Sequence, residues 1–573
     1  MERGGWQRWL LLLVGIQLAG GQCPEQCQCV RTAQVECSGA GITAVPSPIP
    51  ANAMTLQIIN TRIAELGDAS FGNASLLIGL RIEKNNLSRI SPGAFQHLPD
   101  LRYLSLASNK LQELPVQVFE PLGKLESLLL SSNQILQVEP SHFAHLSNLK
   151  ELQLHGNNLQ ELKEGVFDQL TSLTKLNLAR NNIDHLPPRA FERLARLQVL
   201  RLYENRLRQI PAGAFDGLPE LQELGLHQNQ LETLSPELFV HNGNLQKLYL
   251  SNNLLAALPS GIFLPLRALA KITLHVNRLR DISPGAFGPM PDLRELWLYE
   301  NELSTLPTAV FSNLTQLQLL VLSKNRLRSV ALGAFQGLGE LLELSLHSNA
   351  LRHLDAQALE GLPKLQNISL HHNQLQALPR GLFRATPGLR HLQLHSNALE
   401  YLPAGIFSPL ATLREVKLHN NSWRCDKGIL PLQGWLEDNP HKVGETPPLC
   451  AQPPALRGTP IAGLPRDQLL TPQPSTPSPH PSTQLPARPS KAALPGGAWT
   501  EAPMGLPVSP REEEEEEEER GRWGLTRTQS GVVVAVIVLV CAALLAALVA
   551  LVVYGCRKKS HVVLMRMKAP NEA

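Results

Sequence analysis

At 573 residues the chain is too long for one compact core, while its 5% aromatic content and abundant Leu favour a repeat array over several globular domains. A formal charge of only +3, with no run of Lys and Arg before Arg557, argues against a dedicated nucleic-acid binder. There is no nucleophile elbow, HExxH, phosphate loop or glycine fingerprint, so no catalytic residue, cofactor or metal is expected.

The chain opens with Arg3 and Arg8, an apolar run over residues 9–18 and the small residues Ala19 and Gly21. This pattern predicts a secretory signal over residues 1–21. Export places the next segment, 22–52, in an oxidising compartment. Cys23, Cys27, Cys29 and Cys37 are therefore read as a disulfide framework rather than a zinc site, with three connectivities open to four cysteines.

Residues 53–422 carry one pattern with a period of 24: an Asn recurs without a gap from Asn85 through Asn109, Asn205 and Asn301 to Asn421. Before each Asn, apolar residues such as Leu104 and Leu106 alternate with polar ones, which predicts a short strand with one buried face. A buried Asn side chain offers two donors and an acceptor, so it can satisfy backbone groups of the adjacent coil that no sheet partner reaches. The expected product is a ladder of amides beneath a parallel sheet, built from about 15–16 stacked repeats. Ten residues after each Asn up to Asn397 comes a Phe, with Leu359 the one substitute, and Phe71 extends the column to an earlier repeat in which Thr61 replaces Asn. All 14 phenylalanines belong to this column, so it is read as core rather than as ligand anchors.

Ligand contacts belong on the strand positions that face away from that core. Two places before the ladder Asn stand His155, His227 and His275, then His347, His371, His395 and His419 in consecutive repeats. Rings that close repel when charged, so the last four are expected to form a pH-sensitive column titrating near or below the ordinary value. A second set comprises Arg201, Tyr203, Tyr249, Trp297 and Tyr299, with Lys247 and Arg294 in neighbouring registers. Aromatics and Arg on an exposed sheet have the composition of a protein-binding hot spot. Sequons stand at Asn73, Asn86, Asn313, Asn367 and Asn420, of which Asn367 falls on or near the sheet.

Past the repeats, residues 423–465 hold Trp423, Cys425, Trp435 and Cys450. Residues 466–530 turn rich in Pro, Ser and Thr and then contain Glu512 to Glu519 in one run, which predicts an extended stalk. Residues 531–554 are uncharged, about 36 Å as a helix, and predict a transmembrane span. Arg557, Lys558 and Lys559 follow, so residues 555–573 are expected in the cytosol and the rest outside, a single-pass type I topology at the plasma membrane.

These features together resemble the extracellular leucine-rich repeat family with cysteine-rich caps. The resemblance implies an α/β solenoid, a horseshoe with a parallel concave sheet, and pairs Cys23 with Cys29 and Cys27 with Cys37. In the C-terminal cap the family's usual four cysteines are reduced to two, leaving Cys425 to bridge Cys450. The repeat number, the two-cysteine cap and the tail also resemble a cell-surface member of that family engaged in cell–matrix contact. That likeness implies extracellular matrix or cell-surface proteins as partners, with collagen, fibronectin or laminin as candidates. The alternative is a signalling co-receptor of innate-immune or growth-factor type that acts through a membrane partner.

Overall fold

The computed structural model describes residues 23–470, apart from 31–32, 69, 73 and 284. The signal segment, nearly all of the stalk, the apolar stretch 531–554, the tail and the sequon Asn73 lie outside the described residues.

One 18-stranded sheet runs the length of the repeats. It begins with an antiparallel pair, Cys27–Val30 against Gln34–Ser38, and then turns wholly parallel from Gln34–Ser38 onto Thr55–Ile59. Each later strand pairs with its equivalent one repeat on, so that Leu200 lies beside Leu224 and Leu224 beside Leu248. Most of these strands are three residues long, as in Val199–Arg201 and Glu295–Trp297. Their central Leu is fully buried, and its two neighbours face outward.

The backbone itself keeps the strands short. The residue before the ladder Asn adopts a left-handed conformation in repeat after repeat, with φ of 57° at Ser108, 52° at Glu204 and 51° at Lys324. That reversal ends the ladder of strand hydrogen bonds and swings the Asn side chain inward. Position 156, a Gly, takes the same turn at φ 68° without a steric penalty, whereas the β-branched Val276 is held there at φ 53°.

Beneath the sheet the Asn amides connect neighbouring repeats. Asn205 Nδ2 donates to Leu178 O one repeat back at 3.0 Å and to its own repeat's Leu202 O at 3.1 Å, while its Oδ1 accepts from Ile183 N at 3.1 Å. The same three partners, displaced by 24 residues, serve Asn229, Asn253, Asn277 and Asn301. At the start of the array, Thr61 hydroxyl and backbone N both donate to Asn85 Oδ1, so Thr61 begins the ladder as a donor.

The Phe column forms the other wall of the core. Phe191, Phe215 and Phe239 stack with centroids 6.4 and 6.3 Å apart. Leu359 is equally buried but interrupts the stack between Phe335 and Phe383. On this outer side the chain turns rather than coils: within the repeats the only described α-helix is Pro140–Phe143. Pro and Gly recur there, as in Pro211 and Gly213, and the arc is too short for several helical turns.

Disulfides Cys23–Cys29 and Cys27–Cys37 close the first end, and Cys425–Cys450 the last. In the last cap, helix Leu430–Asp438 brings Trp435 to 4.5 Å from Phe407, so an aromatic ring covers the end of the Phe stack. Trp423 is wholly buried, and its Nε1 donates to Leu418 O at 3.0 Å. Residues 466–470, read from sequence as the start of the stalk, instead form helix Arg466–Leu470. Leu469 is buried, and Arg466 pairs with Glu437 at 3.1 Å, which binds this turn to the cap.

Candidate binding face

The face of the sheet opposite the core is built from the outer residues of each strand and the residue two before each ladder Asn. Two aromatic clusters stand on it. In the first, the rings of Tyr203 and His227 stack at 4.4 Å with an interplanar angle of 13°, and Tyr249 meets His227 edge-on at 5.9 Å. Arg201 pairs with Glu223 at 3.0 Å beside them. Gly225 lies at the base of this cluster, where a Cβ would come within 3.3 Å of the Tyr203 ring. Its missing side chain leaves room for the Tyr203 ring to lie close over the strand.

The second cluster repeats the arrangement. His275 stacks on Tyr299 at 4.3 Å and 8°, and Trp297 stands 6.2 Å from Tyr299 and 6.3 Å from His275. Lys271 Nζ lies 5.3 Å from the Trp297 ring and 2.6 Å from Glu295, whose carboxylate also accepts from Trp297 Nε1 at 3.0 Å. The indole is thus fixed in position by a cation on its face and an acid on its edge, the rigid form that an anchor residue requires. Ser251, small and buried, separates the two clusters.

The five hot-spot residues read from sequence therefore all fall on this face, but in two clusters rather than one band. His227 and His275, which sequence reasoning placed in a separate histidine set, are the rings that hold each cluster together. Their signal was present: both occupy the same register as Tyr203 and Tyr299, one repeat away. Arg294 lies outside the strands and is exposed, off the face itself. Lys247 is on the face, 3.9 Å from Glu223.

Further along, His347, His371, His395 and His419 stack at 4.4, 4.5 and 4.5 Å, and His372 stands edge-on to His371 and His395. Burial between neighbours disfavours the charged form. It pushes His347 down to about 4, with Lys324 and His372 adding repulsion. His371 is pushed down to about 3 by burial and by the flanking rings, and His395 to about 4 by burial and by His419, His372 and Lys417. Burial also lowers His419. His347, His371 and His395 are consequently neutral at pH 7 and stay so well below pH 6, which moves their expected titration to more acidic conditions. Among the described residues no group of three or more His, Cys, Asp or Glu converges as a metal site.

The sign of the linkage follows. The unfolded chain takes up protons near the ordinary His value of about 6.5, whereas folded His347 and His395 do so only near 4 and His371 only near 3. Stability is therefore at its plateau above about pH 6.5 and is lost as pH falls toward 4. Denaturant midpoints measured from pH 7.5 to 4.5 are expected to decline, and the triple variant His347→Gln, His371→Gln, His395→Gln should flatten that decline. A parallel pH profile in wild type and variant would contradict this account.

Of the described sequons, Asn86 and Asn313 are exposed, and Asn420 is exposed in the left-handed turn at φ 52°. Asn367 opens strand Asn367–Ser369, on the open face beside the histidine column.

A leucine-rich repeat family model matches residues 51–111, 123–183, 171–231, 196–255, 219–279, 267–327, 315–375 and 363–422, more than half of the chain. The chain belongs to the leucine-rich repeat family. Human leucine-rich repeat-containing protein 15 is 58% identical over 88 residues, 14% of this chain and 15% of that relative. Human reticulon-4 receptor-like 2 is 36% identical over 118 residues, 20% of this chain and 28% of its own. Each match thus spans less than a third of the relative's length. Among solved structures, one in the Toll–Spätzle complex of Drosophila superposes with a TM-score of 0.63 at 26% identity, covering 73% of this chain and 61% of that one. This leucine-rich repeat protein is a binding protein rather than an enzyme, and its disulfide-closed caps and its relatives make it secreted or cell-surface. No helix among the described residues is long and apolar enough to cross a membrane; residues 531–554 lie outside them.

Proposed function

We propose that this protein is a cell-surface adhesion molecule that grips an extracellular matrix or cell-surface protein on the open face of its sheet. The observation that carries the reading is the pair of ring clusters, Tyr203 with His227 and Tyr249, and His275 with Trp297 and Tyr299. Nothing in the packing of the repeat calls for large rings there, since Ser, Ala and Gly occupy the same registers at Ser251, Ala179 and Gly225. The aromatic surface is preorganised by stacking and by the Lys271–Trp297–Glu295 contacts, which lowers the ordering cost of binding. Collagen, fibronectin and laminin are the partners to assay first. The solved Toll likeness, captured in complex with Spätzle, supports the second reading, a signalling co-receptor of innate-immune or growth-factor type that acts through a membrane partner.

The test is capture of these matrix proteins by the full-length protein, comparing wild type with Trp297→Ala plus Tyr299→Ala. Loss of two central anchors is expected to weaken binding by roughly 100-fold or more, about 3 kcal/mol. Equal capture by both proteins would remove the aromatic clusters from the account.

A further inference from the structure

The edge of the solenoid just past the Asn ladder carries a second surface, distinct from the open face. In each repeat the residues one and three places after the ladder Asn flank a buried apolar residue, Leu in most repeats, and so both point outward. Over three of the four repeats that begin at Asn277, Asn301, Asn325 and Asn349, those places hold Arg278 and Arg280, Arg326 and Arg328, and Arg352. All five arginines are exposed. The one acid within the row, Glu302, sits between Arg280 at 3.4 Å and Arg326 at 3.3 Å and bridges them. Among the described residues, Arg278, Arg328 and Arg352 have no carboxylate partner; Arg352 Nε meets only the neutral Gln374. Parallel strands repeat at about 4.8 Å, so the row extends over roughly 14 Å on a rigid backing. To either side it stops: Gln230, Glu232, Leu254 and Ala256 occupy these places before it, and Gln374 and Gln376 after it.

We propose that this arginine row binds a sulfated glycosaminoglycan chain lying along the edge of the solenoid. Guanidinium groups pair with sulfate and carboxylate oxygens through two parallel N–H bonds, and the row uses Arg throughout rather than Lys. Its partner is a linear polyanion because the cations form a line rather than a pocket. A nucleic acid fits less well: among the described residues the places of the row hold no Phe, Tyr or Trp on which a base could stack, and the protein is secreted or cell-surface. The attraction is local, since the whole chain carries only +3.

Full-length protein purified in detergent would be eluted from immobilised heparin with a NaCl gradient. Arg278→Gln, Arg328→Gln, Arg352→Gln is expected to weaken binding at least tenfold at fixed salt and to lower the elution point. The control Arg193→Gln, Arg196→Gln, Arg384→Gln removes the same charge from exposed positions on the outer side and should elute near wild type. Glu302→Gln frees two guanidinium groups and should elute later than wild type. Trp297→Ala plus Tyr299→Ala should leave heparin retention unchanged, which separates this surface from the protein-binding face whichever of the two survives. Equal losses in the two triple variants would overturn the proposal, since binding would then follow net charge. It would be overturned equally by retention on desulfated heparin or on single-stranded DNA as strong as on heparin, or by elution of Glu302→Gln no later than wild type.

Discussion

Replacing Asn301 with Ala is expected to destabilise the protein by about 3–5 kcal/mol, as two carbonyls and one N–H lose partners at roughly 1–3 kcal/mol each, less what the backbone recovers by relaxing. The amide of Asn301 donates to Leu274 O at 3.0 Å and to Leu298 O at 3.1 Å, and accepts from Leu279 N at 3.1 Å. All of these groups are buried, and water cannot replace the amide without opening the interface between repeats. Because a solenoid is held by contacts between nearest neighbours, the loss falls on one junction and weakens the coupling across it. Chemical denaturation should show a lower midpoint, and hydrogen exchange should quicken at Leu279 and in the strand Glu295–Trp297. A loss below about 1 kcal/mol would mean that the ladder is a register mark rather than a support.

Phe215→Ala should cost a comparable amount, about 3–5 kcal/mol, the range for emptying a buried aromatic site. Phe215 is 0% exposed and has a ring on each side, Phe191 at 6.4 Å and Phe239 at 6.3 Å with only 3° between the planes. The stack cannot close over the gap, since each ring is fixed by its own repeat. Phe215→Leu offers an internal calibration: Leu359 fills the same column naturally at 1% exposure, so that variant should lose only about 1 kcal/mol. If Phe215→Ala proved as stable as Phe215→Leu, filling this column would contribute nothing to stability.

The repeat was legible in the sequence because each buried column has one dominant residue. Leu104 and Leu106, the Asn column and the Phe column announce themselves by recurrence, and they are buried where the period places them, save for Asn349, Asn397 and Asn421, which are half-buried. The left-handed residue before each Asn was not legible. That place holds Ser108, Glu204, Val276, Lys324 and His372, which share a conformation imposed by the fold and no side-chain preference. The binding face was half legible. Register located Tyr203, Tyr249, Trp297 and Tyr299 on it, but which rings stack depends on contacts between repeats that a one-dimensional pattern does not rank. Histidines in one register were accordingly grouped by residue type, whereas His227 and His275 join the tyrosines, and His347 to His419 stack on one another. Their half-burial, and with it the downward shift in titration, also comes from those neighbours.

The unbroken parallel register between Arg201 and Trp297 makes the sheet a ruler. The anchoring rings His227 and His275 are two graduations apart, roughly 10 Å at about 4.8 Å per strand, and Ser251 marks the blank graduation between them. Inserting one whole 24-residue unit between the strands of Tyr249 and Lys271 would leave every amide and every Phe with equivalent neighbours, yet it would lengthen the separation of the two grips by one full graduation. Ligand spacing in this protein is thus a counted quantity, adjustable in whole steps and only in whole steps, while the chemistry of each grip is set independently by the few residues that stand on it.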